Sequence, residues 1–469
     1  MITFFKANDP YRLVAAFVIL VIIRLIIVFT GSQEILPELK WQLIGEKLGN
    51  GSIMYRDLWD YTSPLAAFVY KWLYIFFGKS RIPYFIVSAG LVIYQAGIFN
   101  NVLLQNKAYN QNTYVPALIY VLLMNSFFDF VTLPPVLMSM TFVLLAINNV
   151  FKRMDNMTKD SLFVYTGIYL GVAALFYLPA VLFFIVTLIS LLIYTGSILR
   201  RLLLLIYGFG IVLILASMFY YWHGAERQFH SFFYGSLFDL STYQYVSKSN
   251  MWWASLIPIL ILIFSVFKML QDGRFINFQE RIQFVMFFYL LSGFLAMLLI
   301  NEASTFQLIY FVPFVAFFVT HYLLTIRNWI AAEASAIVIF ILLFANQGIA
   351  ENGFLFFQPY LSYQEILTQG SGSEFSKGKK ILVLGEDVNR YKDAELATPF
   401  LNWQISSRVL ENPNYYDNLS IIHDEFEKDL PEVLVDDQDI MTPIFDRIPW
   451  IEERYEVASY NPKMYFRKD

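Results

Sequence analysis

The chain contains no cysteine. That excludes disulfides, thiolate metal sites and a cysteine nucleophile, and it leaves the compartment open. Charge is scarce too: Asp, Glu, Lys and Arg make up 15% of 469 residues. A soluble domain carries roughly 25%, so this chain has too little to coat a water-facing surface. Histidine occurs only four times, and no serine–histidine–acid set or convincing metal-ligand spacing stands out. His223 and His230 lie seven apart near a helix end, a spacing that fits interfacial packing better than a metal pair. There is no glycine-rich phosphate loop, because Gly385 closes an apolar run without a G-x-G-x-x-G pattern around it. No internal repeat is visible. The cofactor is therefore unknown from sequence.

What is present is apolar. Hydrophobic residues make up 58% of the chain, with 47 Phe and 31 Tyr, a composition that suits lipid contact and interfacial aromatic belts. Apolar runs long enough to span a bilayer, or nearly so, lie at 13–31, 82–104, 114–128, 131–150, 161–176, 178–198, 202–222, 252–270, 282–300, 306–326 and 329–347. The runs at 114–128 and 161–176 are short, which fits tilted or partly re-entrant segments. The first run is too long for the apolar part of a cleaved signal peptide, and no small-residue cleavage site follows it. The expected fold is mainly α: a polytopic transmembrane helical bundle of about eleven spans.

Positive charge sets the expected orientation. With Lys6 and Arg12 cytoplasmic, alternation puts Lys107, then Lys152, Arg153 and Lys159, on the same side. Arg200 and Arg201, then Lys268, Arg274 and Arg281, and finally Arg327 follow. Residues 32–81, 223–251 and everything after 348 fall outside. This parity requires residues 64–78 to be a non-spanning interfacial helix, opened by Ser63-Pro64 and interrupted by Lys71. Arg24 lies inside the first span, where a charge is costly and either pairs, snorkels or faces a ligand.

The charge is split unevenly. Residues 370–469 hold 12 Lys and Arg against 20 Asp and Glu, a net of −8; the first 369 hold 21 against 17, a net of +4. The expected organisation is a transmembrane domain over 1–350, with a first outer loop at 32–81, and an acidic, soluble, extracytoplasmic α/β domain over 370–469. The acidic tail disfavours nucleic acid and anionic lipid surfaces. It begins after the polar linker Gln369-Gly-Ser-Gly-Ser-Glu374. Lys380–Gly385 and Pro431–Asp436 read as strands, 396–410 as a helix, and Tyr455–Arg467 as a terminal strand pair around Asn461-Pro462.

The chemistry concentrates in the first outer loop. Pro37 opens a helix whose Leu39, Leu43, Ile44 and Leu48 share one side, and Gly49-Asn-Gly51 closes it. This reads as a helix lying on the outer membrane surface. Glu38 sits in its first turn, where a carboxylate is favoured. Asp57 and Asp60 follow at a spacing that a helical turn would place on one face. Trp41, Tyr55, Trp59 and Tyr61 surround these acids.

Pro37-Glu38, Trp41, Gly51, Tyr55, Asp57, Ser63-Pro64-Leu65 and Phe77-Gly78 together resemble the first outer loop of the GT-C superfamily. These are polytopic membrane glycosyltransferases such as the protein O-mannosyltransferases and the lipid A aminoarabinose transferase. Gly167-Ile-Tyr-Leu-Gly-Val-Ala-Ala174 and Ile309-Tyr-Phe-Val-Pro313 resemble later spans of that family. The chain departs from it at Pro37, which stands where the family usually has Asp.

The resemblance implies sugar transfer from a polyprenyl-phosphate donor to an extracytoplasmic acceptor. The setting would be the cytoplasmic (inner) membrane of a cell envelope, with membrane lipid as the other partner. Such chemistry needs an outer carboxylate as general base and cations for the leaving phosphate. Glu38, Asp57 and Asp60 are the catalytic candidates. Arg56, Arg81, Arg227 and Lys248 are candidates for the phosphate, and Trp41, Tyr55 and Tyr243, with Tyr234 and Tyr245, for the sugar. The plainer readings are a helix-end charge for Glu38, loop acids for the two Asp, headgroup contacts for the cations and an interfacial belt for the tyrosines. The Pro37 departure motivates a second function, a catalytically degenerate scaffold or partner in envelope assembly. A secondary transporter would need broken or charged midplane helices in paired halves, and only Arg24 fits that description.

Overall fold

The structure is a computed structural model. It describes residues 1–29, 33–154, 160–195, 199–239, 243–272, 275–352, 366–368, 377–458 and 461–468. The glycine-rich linker at 369–374, together with Lys159 and Arg274, lies outside the described residues.

The chain divides into two compact units. The first comprises Met1–Ser32, Arg81–Ala216 and Gln244–Glu365, and is a helical bundle. The second comprises Gln33–Ser80, Ser217–Tyr243 and Ile366–Asp469. The C-terminal α/β domain thus shares its unit with the first long loop and with a second loop segment.

In chain order the longer helices are α1 (Tyr11–Phe29), α2 (Leu36–Gly49), α3 (Pro64–Phe77), α4 (Ile82–Gln105), α5 (Val115–Leu123), α6 (Pro135–Met154), α7 (Ser161–Phe176) and α8 (Val181–Thr195). There follow α9 (Leu199–Trp222), α10 (Lys248–Asp272), α11 (Asn277–Ala296), α12 (Val312–Thr325) and α13 (Trp329–Asn352). Among the described residues, seven helical segments are long and apolar enough to cross a membrane, those built on α1, α4, α6, α9, α10, α11 and α12. Shorter apolar helices lie at Ser161–Phe176, Leu178–Ile193 and Trp329–Ala345. The protein is a polytopic membrane protein.

Each of the eleven apolar runs forms a helix, but the run at 114–128 yields only the nine residues of α5. At 1.5 Å per residue that is about 14 Å, less than half of a hydrocarbon core of about 30 Å. Every residue of α5 is buried, so it is an internal element and not a full span.

Helix α3 forms as a separate 14-residue element of the second unit. Its two sides differ sharply. Ala66, Ala67, Tyr70 and Leu73 are buried, while Phe68, Trp72, Ile75 and Phe76 are exposed. Those four lie at i, i+4, i+7 and i+8, one helical stripe of large apolar groups, as an interfacial helix requires.

The C-terminal part carries strands β1 (Lys380–Leu384), β2 (Glu395–Leu396), β3 (Val433–Asp436), β4 (Tyr455–Ala458) and β5 (Asn461–Arg467). They form one sheet in the order β2-β1-β3-β5-β4. β1 is parallel to β2 and β3, and β5 is antiparallel to β3 and β4. Helices α14 (Trp403–Leu410), α15 (Tyr416–Lys428) and α16 (Met441–Arg447) complete it. The helix expected over 396–410 starts only at Trp403. Leu396 pairs with Ile381 in the sheet, and Asn402 caps α14 by accepting from the Ile405 N–H.

The core of this domain gathers Leu382, Leu384, Leu434, Ile405 and Phe426, and it also takes in Trp59 from the first loop. The Trp59 N–H donates to the Pro399 carbonyl at 2.7 Å, and the Asn402 N–H donates to the Trp59 carbonyl at 3.1 Å. The loop therefore joins the domain as a piece of its own core.

Candidate functional site

Helix α2 begins as its sequence indicates, with Pro37 in the first turn and Glu38 beside it. Its surroundings differ from the expectation of a helix lying half-exposed on a membrane. Eleven of its residues are buried, Lys40 and Glu46 among them. Its apolar side packs on α3, where Trp41 stacks on Tyr70 with ring centroids 5.6 Å apart. Its polar side is occupied by ion pairs.

Each of the three acids nominated from sequence has a different setting. Glu38 is wholly buried in the first turn of α2. Asp60 is also wholly buried, and its Oδ2 lies 2.5 Å from the Lys40 Nζ. The same carboxylate accepts from the Thr62 N–H at 2.8 Å, the Thr62 hydroxyl at 2.5 Å and the Asn402 side chain at 3.2 Å. Asp57 is partly exposed, and Arg56 grips it through two bonds of 2.9 Å. The Ile53 N–H donates to it as well, at 2.8 Å. Partial burial works against the Asp57 charge, yet Arg56 and the Ile53 N–H outweigh it and hold the pKa below the usual carboxylate value.

The structure does not put Asp57 and Asp60 on one helical face. Residues 51–63 form turns, with Tyr55 at φ +72°. That left-handed conformation is strained for a bulky residue. It points the Tyr55 side chain inward, where its hydroxyl donates to the Thr62 carbonyl at 2.8 Å and its ring meets Tyr220 edge-on at 5.1 Å.

The other nominated residues divide between the units. Arg56 donates to the His223 carbonyl at 3.1 Å. Arg227 is exposed on a short helical turn, Glu226–Phe229, and the Tyr243 hydroxyl reaches the Glu386 carbonyl at 3.5 Å. These three belong to the second unit, as do Trp41, Tyr55 and Tyr234; Arg81, Lys248 and Tyr245 belong to the bundle. Arg81 lies over the Phe85 ring at 4.6 Å, Lys248 is exposed at the start of α10, and Tyr245 is buried.

Several polar groups escaped sequence reasoning. In the second unit, Lys47 of α2 donates to the Leu396 carbonyl at 3.0 Å and to Asp429 at 2.7 Å, and Lys380 reaches the other Asp429 oxygen at 2.8 Å. Lys79 joins Glu46 at 2.8 Å and the Ala394 carbonyl at 3.0 Å. The Tyr61 hydroxyl and the Arg408 guanidinium both donate to Asp239. Sequence separations of up to 382 residues hide such pairs. In the bundle, Asp129 is wholly buried between α5 and α6. Its Oδ2 accepts from the Ser304 and Thr305 hydroxyls at 3.0 and 2.6 Å and from the Phe306 N–H at 2.6 Å. A lone acid between two apolar runs was the available signal for it.

No model of a known protein family matches the chain, and no curated protein does. Solved structures of similar outline include the oligosaccharyltransferase AglB of Archaeoglobus fulgidus in complex with an inhibitory peptide and a dolichol-phosphate. It is 11% identical at a TM-score of 0.46, over 98% of this chain and 75% of that one. The apo form of the oligosaccharyltransferase from the same organism is 11% identical at a TM-score of 0.47, over the same shares. Its complex with zinc and sulfate is 12% identical at 0.46, over 95% and 71%.

Proposed function

We propose that this protein is a GT-C-like membrane glycosyltransferase, moving a sugar from a polyprenyl-phosphate donor to an acceptor on the outer face of the cytoplasmic membrane. The observation that carries the reading is the first-loop arrangement. The motif residues from Pro37 to Gly78 fold as two packed helices, α2 and α3, joined by a strained, aromatic-lined turn, on a chain with a polytopic apolar body. The N-terminus is assigned to the cytoplasm and the 370–469 domain to the outside, because the short basic loops then share one side.

Glu38 is assigned as the general base on the acceptor hydroxyl. Asp60 is engaged by Lys40, Thr62 and Asn402, and Asp57 by Arg56 and Ile53, so these two suit positioning better than proton transfer. Among the cations of the second unit, Arg56 is held by Asp57, whereas Arg227 is exposed and is the first choice for the departing phosphate. Glu38→Gln in a proteoliposome assay with a polyprenyl-phosphate sugar is expected to lower transfer by about 10²–10⁴. Undiminished transfer in that variant rejects Glu38 as the base.

A specific observation favours a second reading, a catalytically degenerate scaffold. Pro37 stands in the position of the expected acid, Glu38 is wholly buried, and Asp57 and Asp60 both serve the loop's own architecture. If the wild-type protein transfers no sugar from any polyprenyl-phosphate donor but co-purifies with envelope-assembly proteins, this reading replaces the first.

A further inference from the structure

Arg24 is the fourteenth residue of α1 and is 6% exposed. It lies five residues before the end of the helix at Phe29, about 7.5 Å along the axis at 1.5 Å per residue. Among the described residues, its guanidinium meets only neutral groups. Nη1 donates to the carbonyls of Phe85 and Val131 at 3.3 and 3.4 Å, and Nε donates to the Asn125 side chain at 3.4 Å. All three contacts are long for N–H···O bonds. Nη2 is buried and has no hydrogen-bond partner among the described residues. No carboxylate among the described residues pairs with Arg24, although Asp129 sits in the same loop as Asn125 and Val131.

A buried guanidinium cannot escape its cost by losing a proton. An unmatched charge in an apolar bundle is expensive and is retained where it pairs with something. We propose that Arg24 is the cationic floor of an anion site where α1, the start of α4 and the 124–134 loop meet. Its ligand is a phosphate carried on a membrane lipid. Three features select this chemistry. The guanidinium presents a free Nη2 beside the engaged Nε and Nη1, its depth is about one and a half helical turns below the end of α1, and its neighbours come from two other chain segments, Phe85 from α4 and Asn125 and Val131 from the 124–134 loop. The inference deepens the proposed function by giving the lipid donor a phosphate contact, but its test reads binding and not sugar transfer, so either can fail alone.

The test uses the full-length protein, delipidated in detergent. Unfolding midpoints and native mass spectra are recorded with a polyprenyl phosphate, with phosphatidylglycerol and with inorganic phosphate, for wild type, Arg24→Met and Arg24→Lys. One of the two lipids is expected to raise the wild-type midpoint. Its affinity should fall roughly tenfold or more in Arg24→Met, as loss of a charge-assisted hydrogen bond implies. Arg24→Lys should keep part of the binding. The ligand-free midpoint of Arg24→Met should equal or exceed that of wild type, because an uncompensated charge is gone. A lowered ligand-free midpoint with lipid binding unchanged would make Arg24 a structural pin and overturn the proposal. So would failure of Arg24→Met to fold combined with full lipid affinity in Arg24→Lys. A shift produced equally by inorganic phosphate overturns the lipid assignment.

Discussion

Two buried cations in this chain have opposite surroundings. In the second unit, the Lys40 ammonium touches a carboxylate, and that carboxylate accepts further bonds from Thr62 and Asn402. In the bundle, Arg24 is almost as deeply buried, yet among the described residues only carbonyls and an amide approach it. The first arrangement is complete in itself and serves folding: it fixes the 51–63 turns and reaches Asn402, the cap of α14. The second is incomplete without an outside group. The largest test of this contrast is Lys40→Met, which strands the Asp60 charge in a dry interior. It is expected to cost about 3–5 kcal/mol, the usual penalty for halving a buried pair. A Lys40→Met/Asp60→Leu double variant should recover much of that loss. Denaturant unfolding followed by tryptophan fluorescence reads both. If Lys40→Met leaves stability unchanged, as is expected of Arg24→Met, the contrast collapses.

The units also differ in what holds their elements together. The bundle relies on close backbone approach where α7 meets α9. A Cβ on Gly167 would lie 2.2 Å from the Leu205 carbonyl oxygen, and one on Gly208 would lie 2.2 Å from the Val164 carbonyl oxygen. Neither backbone can yield without parting the helices. Small residues at such crossings allow the dispersion contacts that replace hydrophobic driving force inside a membrane. Gly167→Ala is therefore expected to cost about 2–3 kcal/mol. Gly90→Ala, whose added methyl meets nothing within 4 Å, should be neutral or slightly stabilising, since alanine favours the helix. Thermal unfolding of the two variants side by side checks this, and equal midpoints would remove the packing argument.

The sequence disclosed the parts that rest on local pattern. Apolar runs located the bundle helices, Pro37 and Ser63-Pro64 located the starts of α2 and α3, and the runs Lys380–Gly385 and Pro431–Asp436 located two strands, observed at Lys380–Leu384 and Val433–Asp436. Local pattern and structure part where a distant segment decides the outcome. Leu396 left the expected helix because Ile381 offered it a strand partner. The amphipathic reading of α2 missed that Lys40, Glu46 and Lys47 point at partners elsewhere in the chain. The spacing of Asp57 and Asp60 suggests one helical face, but Leu58 bridges Met54 and the Trp59 backbone bonds Pro399 and Asn402, so the residues between them are not helical. Helix α15 carries Leu419, Ile422 and Phe426 at helical spacing, but its many charges lower the mean hydropathy and mask the pattern. For the candidate site, residue types were legible and pairings were not.

The smallest effect concerns Asp429, which Lys47 and Lys380 hold from opposite oxygens. Burial alone would raise its pKa, but the bonds and charges of Lys380 and Lys47 prevail and hold it below the ordinary value. A carboxylate whose folded pKa is depressed adds stability above its unfolded pKa, near 3.9, and loses it as pH falls through the folded value. Glu46, on the same helix as Lys47, runs the other way. Burial outweighs Lys79 there and raises the pKa, so its contribution weakens as pH rises through the range above its unfolded value. Asp429→Asn should therefore lower stability by about 1–2 kcal/mol at neutral pH, since the pairs are only partly buried. The difference between wild type and variant should shrink from pH 5 to pH 2. Unfolding midpoints across that range, with Glu46→Gln as the counterpart of opposite slope, separate the two groups. A wild-type minus Asp429→Asn difference that stays constant with pH would mean that the lysines add packing at this junction and no charge linkage.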